Sequence, residues 1–395
     1  MNTRESLLYN QEVEKIDDII TYTSQKLREE WDPLQVNQLF IDAPSLHRRG
    51  AIADIRHGVQ AAIERYWHID HASLAYQQLI ALSRDGVMLV TSATLPDLSG
   101  PSVDDAVPGS SAMLQHIADL TGLPPRNVDD YYTDCRLSEL SSRRFTDNVI
   151  QISGDQESRT IFSEDVFRAG VREGKMGQDA AISKLLQIPA VDTTAPDFPN
   201  LVKEMQRDFY HMVIGITTIS RYKITDWFAK ELLPYLKPYG VNGVEYVHSG
   251  EQMVGMLMAH HFFIGADSQD EEYYQYVAKN VPYAPREICA QVSQAIDSMN
   301  GRKSFTSELI DMLSDNPSHE PIPENLKEVT LAIFNFLSTL ATFRNPHYGQ
   351  IIRSLGHRPD GQGSGGDIDM PPYLLRKTNE QLDRLKPYIK SLRRA

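Results

Sequence analysis

The chain has 395 residues, 41% of them hydrophobic and 23% charged, a balance that supports a sizeable core and excludes a mainly disordered polymer. Its formal net charge of -14 repels phosphate backbones and anionic lipid heads, so neither nucleic acid nor a membrane surface is expected as a partner. Two distant cysteines, Cys135 and Cys289, build no disulfide framework or zinc site, and the polar residues 1–30 lack a signal peptide's apolar core, so a soluble cytoplasmic chain is expected.

Helical periodicity dominates the chain. Residues 5–30 carry Leu7, Leu8, Val13, Ile16, Ile19, Ile20 and Leu27 on a charged background, the pattern of an amphipathic helix. Further helices are expected over 51–67, 71–86, 110–122, 163–172, 178–187, 198–220, 223–236, 250–265, 270–296, 303–314, 323–355 and 371–392. Strand signals are confined to Val87–Thr91 and Val149–Ile152, neither with an evident pairing partner, so the fold class is mainly α. Loops are expected over 91–109, 191–199 and 356–369, each rich in turn-forming residues. They suggest an N-terminal helix (1–30), an N-terminal subdomain (31–190) and a C-terminal helical subdomain (191–395). The most apolar stretches, 212–220 and 253–266, fall short of the roughly 20 residues of a membrane span. The basic run at the C-terminus reads as a solvated helix face.

The usual hydrolase, nucleotide and metalloprotease motifs are missing, and most of the twelve histidines stand in no motif. His260 and His261 are adjacent, so on a helix they point roughly 100° apart and read as structural. His347 is different. Phe336, Leu340, Phe343, His347 and Ile351 recur at helical spacing, which sets the imidazole on an apolar stripe, with Pro346 removing a backbone donor beside it. A core imidazole needs either hydrogen bonds at both nitrogens or a metal on one and a hydrogen bond on the other, and the spacing leaves both open. Downstream, Gly363-Ser364-Gly365-Gly366 is either a loop whose backbone lets an anionic group approach or a surface turn.

Together, Phe343-Arg344-Asn345-Pro346-His347 and Gly363-Ser364-Gly365-Gly366 resemble the axial-histidine helix and glycine-rich loop of the indoleamine and tryptophan 2,3-dioxygenase superfamily. They resemble more closely its relatives in the monodechloroaminopyrrolnitrin synthase (PrnB) family. The resemblance extends with gaps from about Asp32 to Glu380, through Asp32-Pro33-Leu34-Gln35, Leu46-His47-Arg48, Leu123-Pro124-Pro125-Arg126, Glu231-Leu232-Leu233-Pro234-Tyr235 and Gly243 to Tyr246.

The resemblance implies an indoleamine dioxygenase-like helical bundle around a b-type haem, with residues 31–190 covering the distal side and 191–395 carrying the axial ligand. His347 would bind the iron. Arg344 would pair a haem propionate or a buried carboxylate, a helix-surface salt bridge being the bland alternative. Ser249 and Gly250 would border the haem, while Gly363, Ser364, Gly365 and Gly366 would meet the substrate. His68 and His71 are the distal candidates. The implied protein is a haem-dependent oxygenase or oxidative rearrangement enzyme of secondary metabolism. Its substrate would be a small aromatic amino acid, tryptophan or a derivative, with dioxygen or peroxide as co-substrate and room for an electron donor; a haem sensor or carrier without turnover is the alternative. Two departures set the substrate apart from the family's. Leu355 stands where relatives carry a tyrosine, and the longer loop ends in Gly366-Asp367-Ile368-Asp369, an acidic rim suited to a cationic group. The sequence is silent on oligomeric state.

Overall fold

A computed structural model describes residues 33–95, 102–126, 158–236, 239–246, 253–265, 270–284, 286, 288–315, 322–355 and 370–392. Among them the mainly α class is borne out: twelve helices of ten residues or more accompany one two-stranded hairpin. These helices are α1 (Asn37–Arg48), α2 (Ile52–Tyr66), α3 (Tyr76–Thr94), α4 (Ser110–Thr121), α5 (Ser158–Leu185), α6 (Phe198–Arg221), α7 (Val254–Phe263), α8 (Glu271–Asn280), α9 (Cys289–Met299), α10 (Phe305–Asp315), α11 (Glu324–Leu355) and α12 (Met370–Leu392). The expected N-terminal helix and the run Val149–Ile152 lie outside the described residues.

The described chain forms two compact units, and it passes from the first to the second after Arg172, inside α5; Ile224–Tyr246 returns to the first. In that first unit α3 is buried on every side from Leu82 to Thr94. Val87–Thr91, expected as a strand, belongs to this helix. An unbroken apolar run carries no period, so burial decides its geometry, and β-branched content gives way to it. Its buried hydroxyls are satisfied locally, Thr91 Oγ1 donating to the Val87 carbonyl at 2.7 Å and Ser92 Oγ to that of Met88 at 2.9 Å.

The hairpin pairs β1 (Tyr239–Val241) with β2 (Val244–Tyr246) across Asn242-Gly243. Both turn residues have positive φ, 50° and 78°, the mirror-image turn that matches strand twist. The fully buried Arg126 holds the hairpin in this unit, its guanidinium 4.0 Å from the centre of the Tyr239 ring and its Nη1 donating to the Tyr246 carbonyl at 2.8 Å.

The second unit is built around α11, which packs along α6 and α12. Helix α6 buries Phe198, Val202, Met205, Phe209, Met212, Ile216 and Ile219 at three- and four-residue intervals, one apolar stripe. Phe336 of α11 is fully buried, with ring centres of Phe209 and Phe263 at 5.4 and 4.8 Å. The residues expected as two helices, 163–172 and 178–187, form the single α5. Its glycines make a helix contact and do not break the helix: a Cβ at Gly177 would fall 2.2 Å from the Asp208 carbonyl oxygen of α6. Helix α11 is also long and apolar enough by composition to cross a membrane (Glu324–Arg353), although half of its most apolar window is buried in the unit's core.

Candidate functional site

Helix α11 runs without interruption through Pro346 to Leu355, and this continuity places His347 one turn beyond Arg344 and Phe343. The imidazole is partly buried and lies nearly parallel to the Phe343 ring, centroids 5.2 Å apart with planes inclined by 20°. It makes no hydrogen bond to the described residues. Burial, with the charge of Arg344 as the second cause, pushes its pKa down to about 4, so the ring is neutral near pH 7 and keeps a lone pair for donation. Of the two fates left open by its spacing, a histidine satisfied at both ends is therefore not what the described residues provide.

Arg344 is buried at 5% exposure, which overturns the surface salt-bridge alternative. Nη1 shares its two N–H groups among His260 Nδ1 at 3.0 Å, the Leu374 carbonyl at 2.9 Å and Thr378 Oγ1, and Nη2 lies 3.6 Å from Met256 Sδ. The adjacent histidines of α7 go to different partners, as their helical offset requires: His260 to Arg344, and His261 to the Tyr273 hydroxyl at 3.3 Å. The role of His260 has no signature in the chain, because its partner is 84 residues away and neither position stands in a motif.

His68 is exposed and His71 partly buried, both in the first unit. His71 joins a ring cluster that the chain order conceals. Its centroid is 4.4 Å from Tyr66 and 5.0 Å from His116, whose Nδ1 is 2.7 Å from the Tyr66 hydroxyl. Burial, then His116, lower the His71 pKa against the opposing pull of Asp70. Ser249, Gly250, Gly363, Ser364, Gly365, Gly366 and the acidic loop end lie outside the described residues, as does the Leu355 side chain.

Among the described residues no three His, Cys, Asp or Glu side chains converge on one point. A lone neutral imidazole suits an iron whose equatorial ligands come from a macrocycle, and His347 fits that donor role. The fold and this site define a helical protein whose second unit carries a neutral, partly buried imidazole on its central helix.

The family model described as monodechloroaminopyrrolnitrin synthase PrnB matches residues 72–330, about two thirds of the chain, and the chain belongs to that family. The family is one of oxidative enzymes, which makes this protein an oxidoreductase. The matched span ends before Phe343 to His347 and before the glycine-rich loop, so membership rests on residues other than those that carry the axial motif.

Proposed function

We propose that the protein binds haem b through His347 and oxygenates or oxidatively rearranges an aromatic amino acid, tryptophan or a derivative of it, in secondary metabolism. The observation that carries this reading is the state of His347: neutral, held flat by Phe343, and without a hydrogen-bond partner among the described residues. Family membership, established over a separate stretch of chain, supports it.

When bound, haem would supply the activation of dioxygen or peroxide. The protein's part is then ligation, orientation and exclusion of water. His347 would hold the iron through one ring nitrogen, and stacking on Phe343 restricts rotation of the ring about its own axis. In the same reading Gly363, Ser364, Gly365 and Gly366 would hold the amino-acid head group, Ser249 and Gly250 would lie beside the haem, Arg344 would meet a carboxylate, and His68 or His71 would serve the oxygen- and substrate-binding face. Asp367 and Asp369 favour a substrate with a free amine. The setting is cytoplasmic, and an electron donor accompanies the oxygen reaction.

The test is to load purified protein with haem, add tryptophan and ring-substituted or decarboxylated analogues, and follow both the Soret band and product mass. A substrate-dependent band shift, with an oxidised product under dioxygen plus reductant or under peroxide, is expected. A haem spectrum indifferent to every aromatic amine, with no product, would overturn the assignment and leave a carrier.

A further inference from the structure

Tyrosines gather in one part of the second unit. Tyr273 of α8 is 1% exposed, and its ring centre lies 5.7 Å from that of Tyr274, 6.4 Å from Tyr276 and 6.0 Å from Tyr373 of α12. Tyr274, Tyr276 and Tyr373 are partly exposed, so the cluster runs from the core to the solvent. Phenylalanine would fill the same space at Tyr273 without carrying a hydroxyl inside, where an unpaired one is costly. The hydroxyl therefore calls for a reason.

Two of these phenols are set against a base. The Tyr273 hydroxyl lies 3.3 Å from His261 Nδ1, and the Tyr373 hydroxyl donates to Asp270 Oδ2. Burial keeps the Tyr273 phenol protonated and the His261 imidazole neutral, and Asp297 favours a proton arriving on that imidazole. In the tautomer with a bare Nδ1, the phenol donates to it. A phenol gives up an electron readily only if its proton leaves too, because the oxidised phenol is a strong acid. A base within reach of each hydroxyl meets that condition. Arg376 and Lys377 stand 5.4 and 5.7 Å from the centre of the Tyr373 ring and resist electron loss from it, which the Asp270 carboxylate opposes.

The cluster also connects with the helix of His347. The Tyr273 ring is 5.3 Å, centre to centre, from that of His260, whose Nδ1 is 3.0 Å from Arg344 Nη1, one turn before His347 on α11.

We propose that Tyr373 and Tyr273 are the route by which electrons from a small soluble reductant enter the oxidative centre, a route that presupposes haem ligation by His347. In the absence of amino-acid substrate it supports reduction of peroxide to water. Hydrogen peroxide takes two electrons and two protons to give two waters. Each tyrosine supplies one electron by way of the haem and releases one proton, to His261 or Asp270 and then to solvent, which leaves a neutral tyrosyl radical. A one-electron reductant of the ascorbate class, with a proton from solvent, restores each phenol.

The test is to mix haem-loaded, substrate-free protein with hydrogen peroxide, freeze-quench it, and read the radical region of the electron paramagnetic resonance spectrum. The Soret band and Tm show that each variant is loaded and folded. Wild type should give a tyrosyl signal that narrows when the protein is made with ring-deuterated tyrosine. Tyr273→Phe should lose most of that signal. Tyr373→Phe should keep a radical on Tyr273 but slow its quenching by ascorbate, and Asp270→Asn, which removes the base, should slow quenching likewise. Tyr388→Phe, whose hydroxyl meets Ser314 Oγ at 2.9 Å outside the cluster, should change neither reading. A haem-loaded wild type that forms no tyrosyl radical would overturn the proposal and leave His347 ligation standing. So would a full signal in loaded Tyr273→Phe, or ascorbate quenching as fast as wild type in both Tyr373→Phe and Asp270→Asn, whether or not Tyr273→Phe folds. A protein without a Soret band fails earlier, at ligation, and the route falls with it.

Discussion

The imidazole of His347 lies on the ring of Phe343, four residues before it on α11, with centroids 5.2 Å apart and planes 20° from parallel. A stacked pair of this kind contributes about 0.5–1.5 kcal/mol beyond the area it buries, so Phe343→Leu should weaken haem retention by roughly 2- to 12-fold. The same change should broaden the electron paramagnetic resonance signals of the ferric haem as the imidazole samples more orientations. Transfer of haem to apomyoglobin measures the first effect. Unchanged transfer rates would show that Phe343 merely fills space.

Stability should fall steeply on the acid side. Burial holds His47, His260, His261 and His347 below the ordinary histidine pKa near 6.5, and His347 reaches about 4. Below pH 6.5 the unfolded chain takes up protons at these positions while the folded chain does not, so acidification favours unfolding. For His347 the loss runs from about pH 6.5 down to about 4. Urea midpoints of haem-free protein at pH 7.5, 6.5, 5.5 and 4.5 should therefore be nearly constant over the first interval and drop over the next two. A flat profile to pH 4.5 would contradict the burial of these rings.

Helices α5 and α6 meet through glycine. A methyl at Gly177 would strike the Asp208 carbonyl oxygen at 2.2 Å, and that backbone atom cannot step aside. At Gly174 it would sit 3.5 Å from Met212 Cα, an ordinary contact. Gly177→Ala should therefore cost about 1–3 kcal/mol or more from overpacking, despite alanine's better helix propensity. Gly174→Ala should be neutral or stabilise by up to about 1 kcal/mol. Chemical denaturation of the two variants side by side reads the difference, and equal effects would count against the close approach.

Phe336 is the keystone of the second unit's aromatic core, between Phe209 and Phe263. Phe336→Ala should destabilise by about 3–5 kcal/mol through lost burial and an unfilled cavity. Because α11 also carries His347, haem retention should fall with stability, whereas Phe336→Leu should recover most of both. Retained stability in the alanine variant would show that the core repacks freely.

Much of this fold was legible in the chain, and the misses have physical causes. The stripe Phe336, Leu340, Phe343, His347 marks one face of α11, on which Phe336 and Leu340 are buried and Phe343 and His347 partly so. Helix α3 offers no such contrast: buried all round, it shows no period, and Val87–Thr91 passes for a strand. The hairpin had a signal that could have been read, since Asn242-Gly243 between Val241 and Val244 favours a two-residue mirror-image turn. The expected helices 163–172 and 178–187 join into one because propensity counts only the helix's own backbone, whereas the contact that requires Gly177 comes from α6. The imidazole stack within one helix turn followed from spacing. The Arg344–His260 contact did not, because only tertiary packing brings positions 84 residues apart to 3.0 Å.

Ligation of a haem iron by His347 is read from the absorption spectra of haem-loaded wild type, His347→Ala and His347→Gly with added imidazole. Wild type is expected to show a Soret band with a histidine-ligated signature. That signature should be lost in His347→Ala and restored in His347→Gly by millimolar imidazole entering the space left by the side chain. An unaltered band in His347→Ala, or a wild-type protein that takes up no haem, would contradict it.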